Sequence, residues 1–301
     1  MMLRSAARFA ARARHASSKL PRASSCILPT EFTPLPLLAK ERASHDSDVY
    51  TFGLPVGRSL DLPVCGCILL RAPGRGRAEG AGAAEFDGTD AVRPYTPISD
   101  NAMTGQFQLL VKRYQHGAVS EYLHGLLPGF SEVDFKHIKF NVKEQYPFPN
   151  KEHITMLCAG TGVTPMYQAL HKLLGTPGDN RKVVLLVGNR SPADILLKPE
   201  LDAWAAAHPT RLKVVHVVGE RADEPPPPGW ASTETYVAES GHVDEAKIAR
   251  YAAPPDAGSL VFVCGTPAMY ESLCGPRGEK GLAEGSTLQR LGYTTEMVVK
   301  M

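Results

Sequence analysis

The sequence predicts an N-terminal antiparallel β-barrel followed by a C-terminal α/β domain with a parallel sheet, the pair preceded by a short basic leader. Three observations predict it. Short apolar or aromatic runs between about Phe32 and Phe148 end in Gly and Pro turns, continuous apolar runs alternate with helical segments from Ile154 onward, and no acidic residue occurs before Glu31. The length of 301 residues suits two domains at about 100–200 residues each. With 43% apolar and 21% charged residues, the composition is that of a folded globular protein, not a disordered or collagenous one. Six cysteines without a C-x-x-C pair suit neither a disulfide framework nor a zinc site.

The leader, residues 1–30, carries Arg4, Arg8, Arg12, Arg14, Lys19 and Arg22. Arg4, Arg8 and Arg12 are four apart and line one side of a helix. An Arg-rich, Ser-containing, acid-free segment has the composition of an organelle transit peptide; a disordered basic tail is the alternative reading. Mitochondrion is the expected destination, with plastid second. No stretch approaches the ~20 apolar residues of a membrane helix, so a mature chain without a transmembrane segment is expected. The net charge of +2 argues against a nucleic-acid binder. It is also uneven, because removing the six leader cations from 33 leaves 27 Lys/Arg against 31 Asp/Glu, a net of −4.

In the barrel, expected over 31–148, LPVCGCILLRAP, AVRPYTPI and GQFQLLVKRY read as strands. Cys65 and Cys67 are expected to share a strand face as an ordinary core pair. The Gly/Ala-rich stretch 73–90 reads as a flexible hairpin insertion. In the α/β domain, expected over 149–301 after a linker near FPNKEH, HITMLCAG, RKVVLLVGN, RLKVVHVVG and SLVFVCG read as buried strands. TGVTPMYQALHKLLG, PELDAWAAAHP, DEAKIARYA and PAMYESLCGP read as the helices between and after them. The run Pro225 to Pro228 is neither helix nor central strand and reads as a surface excursion.

Three segments carry chemistry. In MLCAGTGVTPMYQ (156–168), an apolar strand runs through Ala159-Gly160-Thr161-Gly162 into a helix with Pro165 in its first turn, a junction that lets backbone N–H groups face an anion. Many strand–helix turns are Gly-rich for steric reasons alone, and this one is not the G-x-G-x-x-G fingerprint. A second junction, CGTPAM at 264–269, follows another apolar strand; Cys264 there fits a ligand-facing thiol or a buried small hydrophobe equally. In RPYTPIS (93–99), Arg93 and Tyr95 share a strand face, a guanidinium for phosphate and a ring for a flat aromatic ligand, unless the segment is an ordinary surface strand.

Taken together these segments resemble the NADH-cytochrome b5 reductase family of the ferredoxin reductase superfamily. The resemblance rests on RPYTPIS at 93–99, KRY and HGAVSEYL at 112–123, AGTGVTPM at 159–166, GNRSPADILL at 188–197 and CGTPAM at 264–269, in the family's order, and spans roughly residues 32–301. It implies an FAD-binding barrel and an NAD-binding α/β domain. On that pattern Arg93 and Pro94 belong to the FAD motif, with Arg93 on the pyrophosphate, Tyr95 packed on the isoalloxazine and Thr96 near flavin N5. Lys112 and Tyr114 match a second flavin-contacting strand, and Gly117, Val119 and Ser120 a phosphate-binding turn. Gly160, Thr161, Gly162, Thr164 and Pro165 match the turn that receives NADH. Cys264, Gly265, Pro267 and Met269 match the nicotinamide side, and Asp194 an acidic residue beside the adenosine ribose that favours NADH over NADPH. Thr96 and Cys264 are the implied catalytic pair. Arg190, close to Asp194, could attract a 2′-phosphate and opposes the NADH preference. The segment FSEVDFKHIKFNVKEQYPF after Gly129 departs from the family pattern, and the terminal Met301 stands where many relatives have an aromatic.

The implied function is transfer of hydride from NADH to FAD and of single electrons to cytochrome b5 or a similar haem protein, by a monomer. Lys112, Arg113, Lys136 and Lys139 are candidates for an acceptor-facing patch, or form a solvated strand face. Two other readings remain: a diaphorase-type NAD(P)H reductase of quinones or ferric chelates, and a non-enzymatic nucleotide-binding module.

Overall fold

The computed structural model describes residues 26–77, 86–139, 142, 144, 146–220 and 225–301, so nearly all of the expected leader lies outside the described residues. Strands β1 (Thr33–Arg42), β2 (Ser47–Gly53), β3 (Ile68–Ala72), β4 (Ala91–Tyr95) and β5 (Gln106–Lys112), helix α1 (Ala118–His124) and strand β6 (Glu132–His137) build the first domain. Its sheet runs β4-β3-β6-β1-β2-β5, every pair antiparallel. Beyond the ends of that order, the Ile98 N–H donates to the Gln108 carbonyl at 3.0 Å, which draws the chain after β4 onto β5 and curls the sheet toward a barrel.

Alternation sets what fills it. In β6 the residues Val133, Phe135 and His137 point inward and Glu132, Asp134 and Lys136 outward, as a half-buried strand requires. Phe52, Phe107 and Phe135 meet at the centre with ring centroids 4.7 to 5.6 Å apart, two of the three contacts edge-on, the geometry that aromatic quadrupoles favour. The segment expected to depart from the family pattern thus supplies β6, the strand between β3 and β1.

The second domain contains β7 (His153–Ala159), α2 (Val163–Gly175), β8 (Lys182–Asn189), α3 (Lys198–Ala207), β9 (Leu212–Val218), β10 (Val237–Ser240), α4 (Glu245–Tyr251), β11 (Ser259–Cys264), α5 (Pro267–Leu273), α6 (Thr287–Arg290) and β12 (Val298–Lys300). All pairs are parallel, in the order β10-β9-β8-β7-β11-β12. The apolar runs sort by parity. Met156, Leu185 and Phe262 join α2 and α3 in one core, while Leu157, Leu186, Val261 and Val263 join α4 and α5 in the other. Both faces are therefore covered, as the unbroken apolar strands predict. The short strands β10 and β12 are additions that the sequence reading did not contain. Among the described residues no helix is long and apolar enough to cross a membrane.

Two expectations are corrected. Cys65 and Cys67 do not share a strand face: Cys65 sits in a turn with φ of 62°, and Cys67 precedes β3. Residues 78–85 of the expected insertion lie outside the described residues, but its two ends are held together. The Gly76 N–H donates to the Thr89 carbonyl at 2.7 Å and the Asp87 N–H to the Gly76 carbonyl at 3.1 Å.

Phe135 is fully buried in the aromatic cluster, so Phe135→Ala should cost about 3–5 kcal/mol. A chemical denaturation series on the purified variant checks this, with a matching fall in midpoint expected.

Candidate functional site

β7 and β11 are adjacent parallel strands, Cys158 in register with Cys264, yet β8 lies to one side of them and β12 to the other. The chain order reverses between them, which makes their carboxyl ends the topological switch point where open α/β sheets bind ligands. After Ala159, Gly160 adopts φ of 52°, residues Gly160–Gly162 form a 3-10 turn, and α2 begins. A Cβ on Gly162 would overlap the Cys264 carbonyl oxygen and lie 2.7 Å from its carbon. Glycine at this position lets the two turns touch. On the other side, the Thr266 hydroxyl accepts from the Met269 N–H at 3.3 Å and caps α5.

The barrel closes over these turns. The Cys65 thiol lies 3.8 Å from the Pro165 carbonyl, and the Gln168 amide donates to the Pro97 carbonyl at 3.4 Å. Between the domains runs a cleft of about 900 Å³, within the range of small-molecule and cofactor sites. Of the residues singled out in sequence, Arg93, Pro94, Tyr95, Thr96, Lys112, Tyr114, Gly117, Val119 and Ser120 line its barrel side. Thr161, Gly162, Thr164, Pro165, Cys264, Gly265 and Pro267 line its α/β side. Segments from across the chain thus converge on one cavity.

Gly160, Met269 and Asp194 are not among its lining residues. Met269 packs behind Gly265, where its sulfur would lie 2.5 Å from any Cβ. Asp194 turns its carboxylate to Lys112 Nζ at 3.2 Å and to the Ser191 hydroxyl at 2.7 Å, and Lys112 also reaches Asp46 at 2.7 Å. Residue 194 therefore ties the α/β domain to the barrel. Partial burial alone would raise the Asp194 pKa, but the hydrogen bonds from Ser191 and Lys112 and the nearby charges of Lys112 and His45 outweigh it and hold it below its ordinary value. Asp46 is lowered in the same way, burial being outweighed by hydrogen bonds from Lys112, Ser47 and Ser44. His45, Asp46 and Asp194 cluster closely enough to hold a cation, and the Lys112 ammonium fills that role.

Several titratable groups at and beneath the cleft are held neutral. Burial, and secondarily Cys264, pushes the Cys65 thiol up to about 12, and the same two causes raise Cys158. Burial also raises the Tyr95 phenol. The phosphate-side turn is sterically tight: a Cβ on Gly117 would overlap Ser120 Oγ, which accepts from the Tyr114 N–H at 3.1 Å. Sequence reading missed Arg75, Gly76, Arg77, Thr89 and Arg277, all of which line the cleft. The signal for the first three was PGRGR, basic residues alternating with glycine immediately after a strand. The supposed acceptor patch is partly spent, since Arg113 pairs with Glu121 at 3.0 Å and Lys136 lies 4.6 Å from the Phe32 ring centroid.

Residues 34–139 match the model of an oxidoreductase FAD-binding domain and residues 156–275 that of an oxidoreductase NAD-binding domain. The "NADH-cytochrome b5 reductase-like protein" of Arabidopsis thaliana is 35% identical over 90% of this chain and 77% of its own length. The "NADH-cytochrome b5 reductase 2" of Kluyveromyces lactis is 32% identical over 90% of this chain and 84% of its own. The chain belongs to the NADH-cytochrome b5 reductase family. Its fold agrees: the cytochrome b5 reductase domain of Ulva prolifera nitrate reductase superposes with a TM-score of 0.73 at 28% identity, covering 92% of this chain and all of that domain. Within this family the cleft lies between an FAD-binding and an NAD-binding domain, and the chain is an NADH-dependent flavoprotein oxidoreductase.

Because Asp194 has a depressed folded-state pKa, its contribution to stability is present above the unfolded carboxylate pKa and is lost as pH falls through the folded value. Asp194→Asn should destabilise the protein by on the order of 1–2 kcal/mol at pH 7, and the gap to the parent should close in strong acid. Urea midpoints measured from neutral pH downward test this; a gap independent of pH would contradict it.

Proposed function

We propose that the cleft takes hydride from NADH onto FAD and that single electrons leave for cytochrome b5 or a similar haem protein. The observation behind this reading is the convergence of the β4 segment, the Gly117–Ser120 turn and both switch-point turns on one cavity. The residues fit the cofactors: among the described residues Arg93 has no carboxylate partner, and Thr161, Gly162 and Gly265 put small or backbone-dominated surface on the α/β side of the cleft. Arg93 and the Gly117–Ser120 turn would hold the FAD phosphates, Tyr95 and Thr96 its ring system, and the 160–165 and 264–267 turns NADH. When bound, FAD supplies the conversion between two-electron and one-electron chemistry.

What the chain contributes is position. Hydride transfer needs no general acid or base, and several titratable groups at the cleft are paired or held neutral. Asp90 pairs with Arg71 at 3.4 Å, Lys112 is shared by two carboxylates, and the raised Tyr95, Cys65 and Cys158 stay protonated at neutral pH. Cys264 sits at the mouth of β11 and orients the nicotinamide without forming a covalent bond. Asp194 would act on NADH preference only through the position of its loop, because its carboxylate is held by Lys112 and Ser191. The relatives' printed names support cytochrome b5 as acceptor. The composition of residues 1–30 supports a mitochondrial leader.

Purified protein should be yellow, and NADH should reduce its flavin in stopped flow faster than NADPH does. Reoxidation should be fastest with cytochrome b5 in a panel that includes a quinone and a ferric chelate; faster turnover with the quinone would favour a diaphorase. Cys264→Ser should slow flavin reduction about ten-fold, equivalent to about 1.4 kcal/mol of activation free energy, with FAD still bound. Residues 1–30 fused to a fluorescent reporter should direct it to mitochondria, and a diffuse cytosolic signal would refute the leader.

A further inference from the structure

At the barrel end of the cleft, remote from Cys264 in the chain, Arg75 and Arg77 stack their guanidinium groups on the ring of Phe86, 5.0 and 4.8 Å from its centroid. We infer that this pair grips the adenylate half of FAD, at the phosphate that FMN lacks, and so makes the cleft select FAD over FMN. The inference rests on the flavin reading above and assigns to it residues outside the family motifs.

The geometry is that of a prepared anion site. The Gly76–Thr89 and Asp87–Gly76 backbone bonds hold residue 76 against residues 87 and 89, and Thr89 Oγ1 donates to Asp87 at 2.6 Å. Gly76 is packed so closely that a Cβ would lie 2.9 Å from the Thr89 carbonyl carbon. Both guanidinium groups thus project from a fixed backbone and are splayed by one ring, a stacking for which arginine is suited. Among the described residues no carboxylate lies within salt-bridge distance of Arg75, Arg77 or Arg93, whereas Arg71 pairs with Asp90 and Asp134.

Arg77 Nε is buried and has no hydrogen-bond partner, a costly arrangement for a charged donor unless a ligand supplies the acceptor. Arg75 and Arg77 both line the cofactor-sized cleft, so the ligand that would pair with them is one held inside it. A phosphate offers oxygens to both guanidinium groups at once. FMN ends at one phosphate, within reach of Arg93 and the Gly117–Ser120 turn, and leaves the Arg75–Arg77 pair idle.

The test is release of FAD from the holoprotein, followed by the rise of free-flavin fluorescence on dilution, with FMN titrated into protein stripped of flavin. Arg75→Gln/Arg77→Gln should weaken FAD about thirty-fold and leave FMN affinity unchanged, so that the preference for FAD collapses. The single variant Arg77→Gln should show a smaller loss of the same kind and serves if the double variant misfolds, as judged by circular dichroism. Equal loss of both flavins, or no loss of either, overturns the inference. Unchanged FAD affinity with slower reduction of an acidic haem protein also overturns it and gives the arginines to docking. A parent protein that takes up no flavin refutes the flavin reading, and the inference with it.

Discussion

Contact between the turn after β7 and the turn after β11 requires bare backbone at Gly162. The two strands are neighbours whose flanking strands lie on opposite sides, so their exits diverge and leave a crevice at the switch point. Its width is set by how closely the 160s turn approaches the Cys264 carbonyl, and any side chain at 162 would occupy that space. Pro165 and Gln168, in the first two turns of α2, are also the groups that meet Cys65 and Pro97 of the barrel. Widening the crevice would therefore move the seat of the barrel, so one missing Cβ governs both the nucleotide turn and the domain contact.

A second tie acts at longer reach. Lys112 ends β5 on the barrel, and Asp194 follows β8 on the α/β domain; their contact at 3.2 Å joins residues 82 apart in the chain. Asp46 supplies the other carboxylate, so one ammonium serves two acids and the net charge of the three groups is negative. Such a cluster suits the domain hinge but not the cleft floor, where a fixed charge would couple to every change in cofactor charge. The two acids of the tie, Asp46 and Asp194, do not line the cavity although Lys112 does, and burial holds the thiols of Cys65 and Cys158 neutral.

The sequence makes some of this legible and hides the rest for physical reasons. Strands buried on both faces announce themselves as apolar runs, so β7, β8, β9 and β11 could be read directly, as could the glycines where those runs stop. The strands β10 and β12 have four and three residues, too few to establish a period, and β10 is half-buried throughout. β6 does alternate, but its inward set includes His137, and although the segment from 130 reads as a departure from the family pattern, the FAD-binding family match extends through β6 to residue 139. The turn at Cys65 is invisible because an apolar run beside a strand looks like strand. Asp194 was assignable as an acidic residue and not as a partner of Lys112, since nothing local records a pairing so distant. Arg75 and Arg77 were visible as charges in a glycine-rich stretch; what distinguishes them, the lack of a carboxylate partner, exists only in three dimensions.

That distinction changes how the charge of the chain is to be read. Counting cations near the flavin motifs suggests a basic face for an acidic acceptor, yet Lys112 is neutralised by two carboxylates, Arg113 by Glu121 and Arg71 by Asp90 and Asp134. Paired charges act at a distance only as dipoles and fade within about one Debye length, roughly 8 Å at physiological salt. Among the described residues, the cleft-lining cations without a carboxylate partner include Arg75, Arg77 and Arg93. Residues 31–301 carry 27 Lys/Arg against 31 Asp/Glu, so the two folded domains supply no net positive field to draw in an acidic partner. Productive contact must then be decided at short range, by fit around the cleft mouth, where desolvation and shape outweigh the field of the whole molecule.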